Sequence, residues 1–70
     1  MNIRQKHMLN TLVNDGNLHI GTSAQKFNVG ERTIRYDLDV IEDFIYHKNH
    51  HLGILIKNNV AHLLLEKRLF

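Results

Sequence analysis

The chain has no cysteine, no proline and no tryptophan among its 70 residues. Without cysteine there is no disulfide framework, no thiolate metal site and no thiol chemistry. Without proline nothing marks an inter-domain linker. No apolar run exceeds three residues, as in Leu63 to Leu65, against the roughly 20 that a membrane-crossing helix needs. The N-terminus carries no apolar stretch behind a basic start, so no secretion signal is read there. No nucleophile–base spacing and no phosphate-cradling loop is present, and the glycine-containing segments read as turns. A chain of this length buries only about 60% of the surface its unfolded form exposes, which leaves a thin core. The expectation is one soluble, cytosolic domain that binds and does not catalyse, with no cofactor.

What is present is a 43% hydrophobic chain with a formal net charge of +2. The charge is unevenly laid out. Residues 1–36 hold five basic groups (Arg4, Lys6, Lys26, Arg32, Arg35) and two acidic ones (Asp15, Glu31). A block of acid follows at Asp37, Asp39, Glu42 and Asp43. Such asymmetry points to a polyanion met by one part of the domain.

Periodicity supplies the elements. Asn2 and Gln5 form a capping-box pattern, and Met8, Leu9, Leu12 and Val13 follow as an apolar stripe of a helix over residues 3–14. Gly16 suits the left-handed position that ends it. Leu18 and Ile20 flank His19 in a short alternating stub, long enough for a few bridging hydrogen bonds but not for a sheet. A second helix runs from residue 20 or 21 to Phe27, with Ile20, Ala24 and Phe27 on one face. Asn28-Val29-Gly30 makes a turn with Val29 directed inward. The third helix spans Glu31 to about Tyr46, with Ile34, Leu38, Ile41 and Ile45 on one side and Phe44 at its border. Arg32, Tyr36, Asp39 and Asp43 lie opposite, a clean amphipathic division. His47 to His51 reads as a polar loop. Ile54–Lys57 and Val60–Leu64 are strand-like runs around Asn58-Asn59, whose tolerance of positive φ suits a two-residue hairpin turn. That register pairs Ile56 with Ala61 and Ile54 with Leu63 on one face, and Leu55 with His62 on the other. The fold class is mainly α with a C-terminal β-hairpin, the layout of a winged helix-turn-helix: three helices plus a wing.

The string Ala24-Gln25-Lys26-Phe27-Asn28-Val29-Gly30-Glu31-Arg32-Thr33-Ile34-Arg35-Tyr36-Asp37 resembles the pattern A-x-x-[LF]-[NG]-V-S-x-R-T-I-R-x-D of bacterial regulators. It is most similar to the N-terminal winged helix of transcriptional regulators that carry PTS-regulation domains, such as the activators of mannitol operons. DeoR-like repressors are similar but less close. The likeness is tightest over residues 24–46 and looser from 4 to 65. Two positions depart from it. Ser23 stands where those regulators usually have Leu, which makes the second helix the softest element, with Ile20 filling the space. Gly30 stands where they usually have a Ser cap.

The resemblance implies sequence-specific binding of double-stranded DNA, with no membrane role. Homodimerisation belongs to the full-length protein, and PTS phosphocarrier proteins act on other domains. Residues 1–65 are then the DNA-binding domain. Residues 66–70 start a linker, and the uncapped Leu69-Phe70 end fits a truncated chain. The residues themselves support DNA reading. Glu31, Arg32, Thr33, Arg35 and Tyr36 occupy the first turns of the third helix, where free N–H groups and the positive dipole end favour phosphate. Arg can bridge guanine O6 and N7, while Thr and Tyr suit phosphate or a thymine methyl. Lys57, Asn58 and Asn59 at the hairpin tip are placed to touch the DNA backbone. The acids that follow on the third helix angle its C-terminal half out of the groove.

Blander readings stand beside these. Arg35 and Asp39, four apart, suit a surface pair. Arg32 suits a brace for the turn, and Tyr36 suits packing on Arg32. The hairpin tip suits a plain exposed turn, while Arg4 and Lys6 suit ordinary helix charges. His47, His50 and His51 lack the partners a zinc site requires, so no metal is expected. His7 and His62 read as half-buried surface residues. One competing function is a protein-interaction module, which needs an apolar patch on the exposed side of the third helix, where Val40 is the main offering. Another is the DNA-binding domain of a DeoR-like repressor, which shares the fold and the reading surface but not the sensor.

Overall fold

The computed structural model describes residues 1–65, so the expected linker at 66–70 lies outside the described residues. Helix α1 (Ile3–Asp15) begins in the expected capping box. Asn2 Oδ1 accepts from the Gln5 N–H at 2.8 Å, and Gln5 Oε1 accepts from the Asn2 N–H at 3.1 Å. Gly16 ends it at φ +82°, a conformation that side chains disfavour. The buried stripe of α1 is Gln5, Met8 and Leu12. Val13 departs from the expected stripe: it is 62% exposed, because one position beyond Leu12 the helix has already turned its side chain to solvent.

Strand β1 (Asn17–His19), helix α2 (Ile20–Phe27) and helix α3 (Glu31–Lys48) follow, then strands β2 (Leu52–Lys57) and β3 (Val60–Leu65). The Leu18 stub is more than expected. It pairs with β3, Leu18 against Ala61, and makes the hairpin into a three-stranded antiparallel sheet of order β1-β3-β2. The pairing gives Leu18 a buried partner across the strands, and both residues are nearly inaccessible. The hairpin itself has the expected register, Ile56 opposite Ala61 and Ile54 opposite Leu63, although β2 starts two residues earlier, at Leu52. Helix α3 also runs further, taking His47 and Lys48 out of the loop.

The core gathers Met8 and Leu12 from α1, Ile20 and Ala24 from α2, and Ile34, Leu38, Ile41 and Ile45 from α3 against Leu18 and Ala61 of the sheet. Phe27 and Val29 pack at its margin. Full burial of each large aliphatic side chain stabilises by about 1.5–3 kcal/mol, so the four on α3 fix that helix's rotation firmly. The result is a three-helix core with a sheet-supported wing, a winged helix-turn-helix.

Three polar side chains, Gln5, Ser23 and Asp37, are buried with this apolar set. Asp37 is fully buried. It accepts a charge-assisted pair of hydrogen bonds from the Arg4 guanidinium and one from Gln5 Nε2 at 2.8 Å. Arg4 is thus not a free surface charge, and Asp37 is not part of an exposed acidic block.

Candidate nucleic-acid interface

The rotation of α3 set by Ile34, Leu38 and Ile41 determines what faces outward. Arg32, Arg35 and Tyr36 are exposed, Tyr36 to 63%, and Thr33 is half-buried. Gly30 caps α3 through its backbone alone, its carbonyl accepting from the Thr33 and Ile34 N–H groups at 3.1 and 3.3 Å. The N-terminal turn therefore presents two arginines, a phenol and the positive dipole end of an 18-residue helix. Glu31 is the one acid in that first turn.

The hairpin tip lies against the same end of α3. Asn58 and Asn59 adopt φ +53° and +61°, the two positive values that a type I′ turn demands and that asparagine tolerates. The Asn59 carbonyl accepts from the Ile20 N–H, one of the unpaired donors at the start of α2, at 3.0 Å. Its side-chain oxygen accepts from Arg35 Nη2 at 2.7 Å, and its amide donates to Glu31 Oε1 at 3.3 Å. Arg35 therefore reaches the wing and not Asp39, which settles the expected surface pair the other way. Lys57 and Asn58 stay exposed beside it. The eight residues singled out in the sequence (Glu31, Arg32, Thr33, Arg35, Tyr36, Lys57, Asn58, Asn59) thus fall on the start of α3 and the adjoining wing tip.

Two further polar residues border this surface. Thr22 and Gln25 are exposed on α2 and line the open groove between α2 and the start of α3, with Asn28, Gly30 and Glu31 on its other wall. The sequence signal for them was their place opposite Ile20, Ala24 and Phe27. The sequence also holds a signal for the scaffold behind the surface. Asp37 lies three residues after Ile34 and four before Ile41, squarely in the apolar stripe, where a carboxylate requires a buried partner.

The Asp37 carboxyl is held below its ordinary pKa. Burial pushes it up, but the hydrogen bonds from Arg4 and Gln5 and the Arg4 charge together outweigh that push. Arg4 is shifted upward by its hydrogen bond to the same carboxylate. With Arg4 and Asp37 cancelling internally, the exposed basic side chains among the described residues are Lys6, Lys26, Arg32, Arg35, Lys48 and Lys57. Glu42 is also engaged, accepting from the Ile54 N–H of β2 at 2.7 Å. The acidic stripe along outer α3 therefore reduces to Asp39 and Asp43.

The histidines do not converge. His47 Nδ1 bonds the Asp43 carbonyl at 2.7 Å, and His50 stacks on Tyr46 with ring centroids 4.7 Å apart. Among the described residues no group of three or more metal-ligating side chains is assembled. His62 is half-buried as expected, whereas His7 is exposed near the Phe27 ring. No helix among the described residues is long and apolar enough to cross a membrane.

A helix pair joined by a tight turn, an exposed basic N-terminus on its second helix and a wing beside it define a DNA-binding winged helix-turn-helix. The chain belongs to the DeoR-like helix-turn-helix domain family, whose profile matches residues 4–59, from the start of α1 to the wing tip. It is accordingly a binding domain of the kind that transcriptional regulators use to contact DNA. No curated protein and no solved structure matches the chain significantly.

Proposed function

We propose that residues 1–65 read specific duplex DNA by inserting the N-terminal half of α3 into the major groove, as the DNA-binding domain of a bacterial regulator of PTS sugar operons. The observation that carries the reading is the joint exposure of Arg32, Arg35 and Tyr36 on the first two turns of α3. Arg32 and Arg35 address base edges, Thr33 and Tyr36 address phosphate or a thymine methyl, and Lys57 and Asn58 meet the backbone from the wing. The PTS assignment is supported by the Arg32-Thr33-Ile34-Arg35-Tyr36-Asp37 string next to the Ala24…Val29 turn. In the full-length regulator two such domains act as a homodimer on paired half-sites. The phosphocarrier proteins of the sugar system act on other domains.

Titration of labelled duplex at two salt concentrations tests the reading. Binding should weaken steeply with salt and fall further in Arg32→Ala and Arg35→Ala. No binding even at low salt rules it out. That outcome favours the second reading, a protein-interaction module, for which one observation speaks: Met1, Val40 and Phe44, flanked by Asp43 and His47, line a shallow depression beside α3. This apolar shelf lies toward the C-terminal half of α3, away from Arg32.

A further inference from the structure

The wing tip is fastened to the start of α2 and to the start of α3 by one residue. Asn59 gives its backbone carbonyl to the Ile20 N–H, its side-chain oxygen to Arg35 and its side-chain amide to Glu31. The corner is closely built. A Cβ added at Gly21 would lie 3.3 Å from Glu31 Oε2 and 3.8 Å from Asn59 Nδ2. Free arginine side chains sample many rotamers, and fixing one on binding carries an entropic cost. The bond to Asn59 uses one guanidinium hydrogen and leaves the rest of the planar fork for DNA.

We propose that Asn59 is a positioning residue that presets Arg35 for base reading, so that the wing determines specificity through the recognition helix as well as by touching the backbone. The proposal rests on the DNA reading above and adds a specificity role that acts within the protein. Arg35 is held on the wing-facing flank of α3 before DNA arrives. Glu31, bound to the amide of the same asparagine, fixes which way that amide points.

Asn59→Gly is the informative variant. Glycine suits the positive φ of the turn, so the backbone link to Ile20 survives while the side-chain link is lost. The 70-residue chain would be used to select duplexes from a randomised library. Wild type, Asn59→Gly, Arg35→Ala and the double variant would then be titrated with the selected duplex and with a scrambled one. Asn59→Gly should bind the selected duplex roughly three- to tenfold more weakly, the scale of ordering one long side chain, and lose little on the scrambled duplex. In the Arg35→Ala background the same change should have almost no effect. An equal loss in that background means that Asn59 contacts DNA itself and overturns the proposal. So does selective binding by wild type that Asn59→Gly leaves intact. In the DNA-free protein, NMR relaxation of the Arg35 guanidinium should show hindered motion that Asn59→Gly releases, and free motion in wild type also overturns the proposal. If wild type enriches no sequence at all, the DNA reading itself fails, a result distinct from every other outcome.

Discussion

At the scale of single residues, Asp37 shows most clearly how local chemistry supports the reading surface. Its charge is tolerated inside the core because Arg4 and Gln5 surround it, and through them the first turn of α1 is tied to the second turn of α3. Because its carboxyl is lowered relative to the unfolded chain, the contribution to stability is complete above about pH 4 and is lost as pH falls through the folded-state value. Asp37→Ala should cost about 2 kcal/mol, the scale of a hydrogen bond to a charged group, and flatten the acid limb of a urea-midpoint profile. Arg4→Ala should show a pH-dependent deficit in the same direction, for a further reason. With its main partner gone, burial dominates and raises the Asp37 carboxyl, so the variant's deficit against wild type should be larger at pH 7 than at pH 4. A deficit that does not change with pH contradicts the buried pair. Gly30 allows a gain instead. Its φ of −75° is open to any residue and no atom lies within 4 Å of an added Cβ. Gly30→Ser should supply the missing side-chain cap and raise stability by about 0.5 kcal/mol in urea unfolding.

At the scale of elements, the helices were legible in the sequence because period and caps coincide. Asn2 with Gln5 opens α1, Gly16 closes it, and Ile34, Leu38, Ile41 and Ile45 fix the inward face of α3. The hairpin was legible for a similar reason, since consecutive asparagines between alternating apolar runs dictate both turn and register. The missing part was non-local. Leu18 becomes part of a strand only because Ala61 lies opposite it, more than forty positions further along, and no pattern within three residues carries that information. The same holds at the candidate site. The outward set on α3 follows from periodicity, whereas the Arg35–Asn59 link depends on where the wing comes to rest, and local spacing offers only Asp39, four positions on, as a partner for Arg35. On the outer face of α3 only Asp39 and Asp43 extend the stripe of Arg32 and Tyr36. If they lie outside the groove as proposed, Asp43→Lys should leave DNA affinity unchanged or raise it in a titration. A large loss would place Asp43 in contact with a base or a bridging group and require a deeper insertion of α3.

At the scale of the molecule, a net charge of only +2 looks too small to bind a polyanion, yet placement matters more than the total. Arg4 and Asp37 cancel inside the protein, and Glu42 is turned to the β2 backbone. Of the charges left exposed, Arg32, Arg35 and Lys57 lie around one end of α3, with Glu31 beside them. If those three neutralise phosphates or displace condensed counterions as a group, the slope of log K against log salt should be about −2.7, from about −0.9 per neutralised phosphate. Between 50 and 200 mM salt that slope weakens binding by about 40-fold. Each single Ala substitution at Arg32, Arg35 or Lys57 should lower the slope by roughly one if the residue meets phosphate. A residue that reads a base should instead lower affinity for the selected duplex far more than for a scrambled one, with a smaller change in slope. Salt titration of the three variants on both duplexes therefore separates positioning contacts from reading contacts. A wild-type slope near zero would mean that the basic end of α3 does not face DNA, whatever its affinity for other partners.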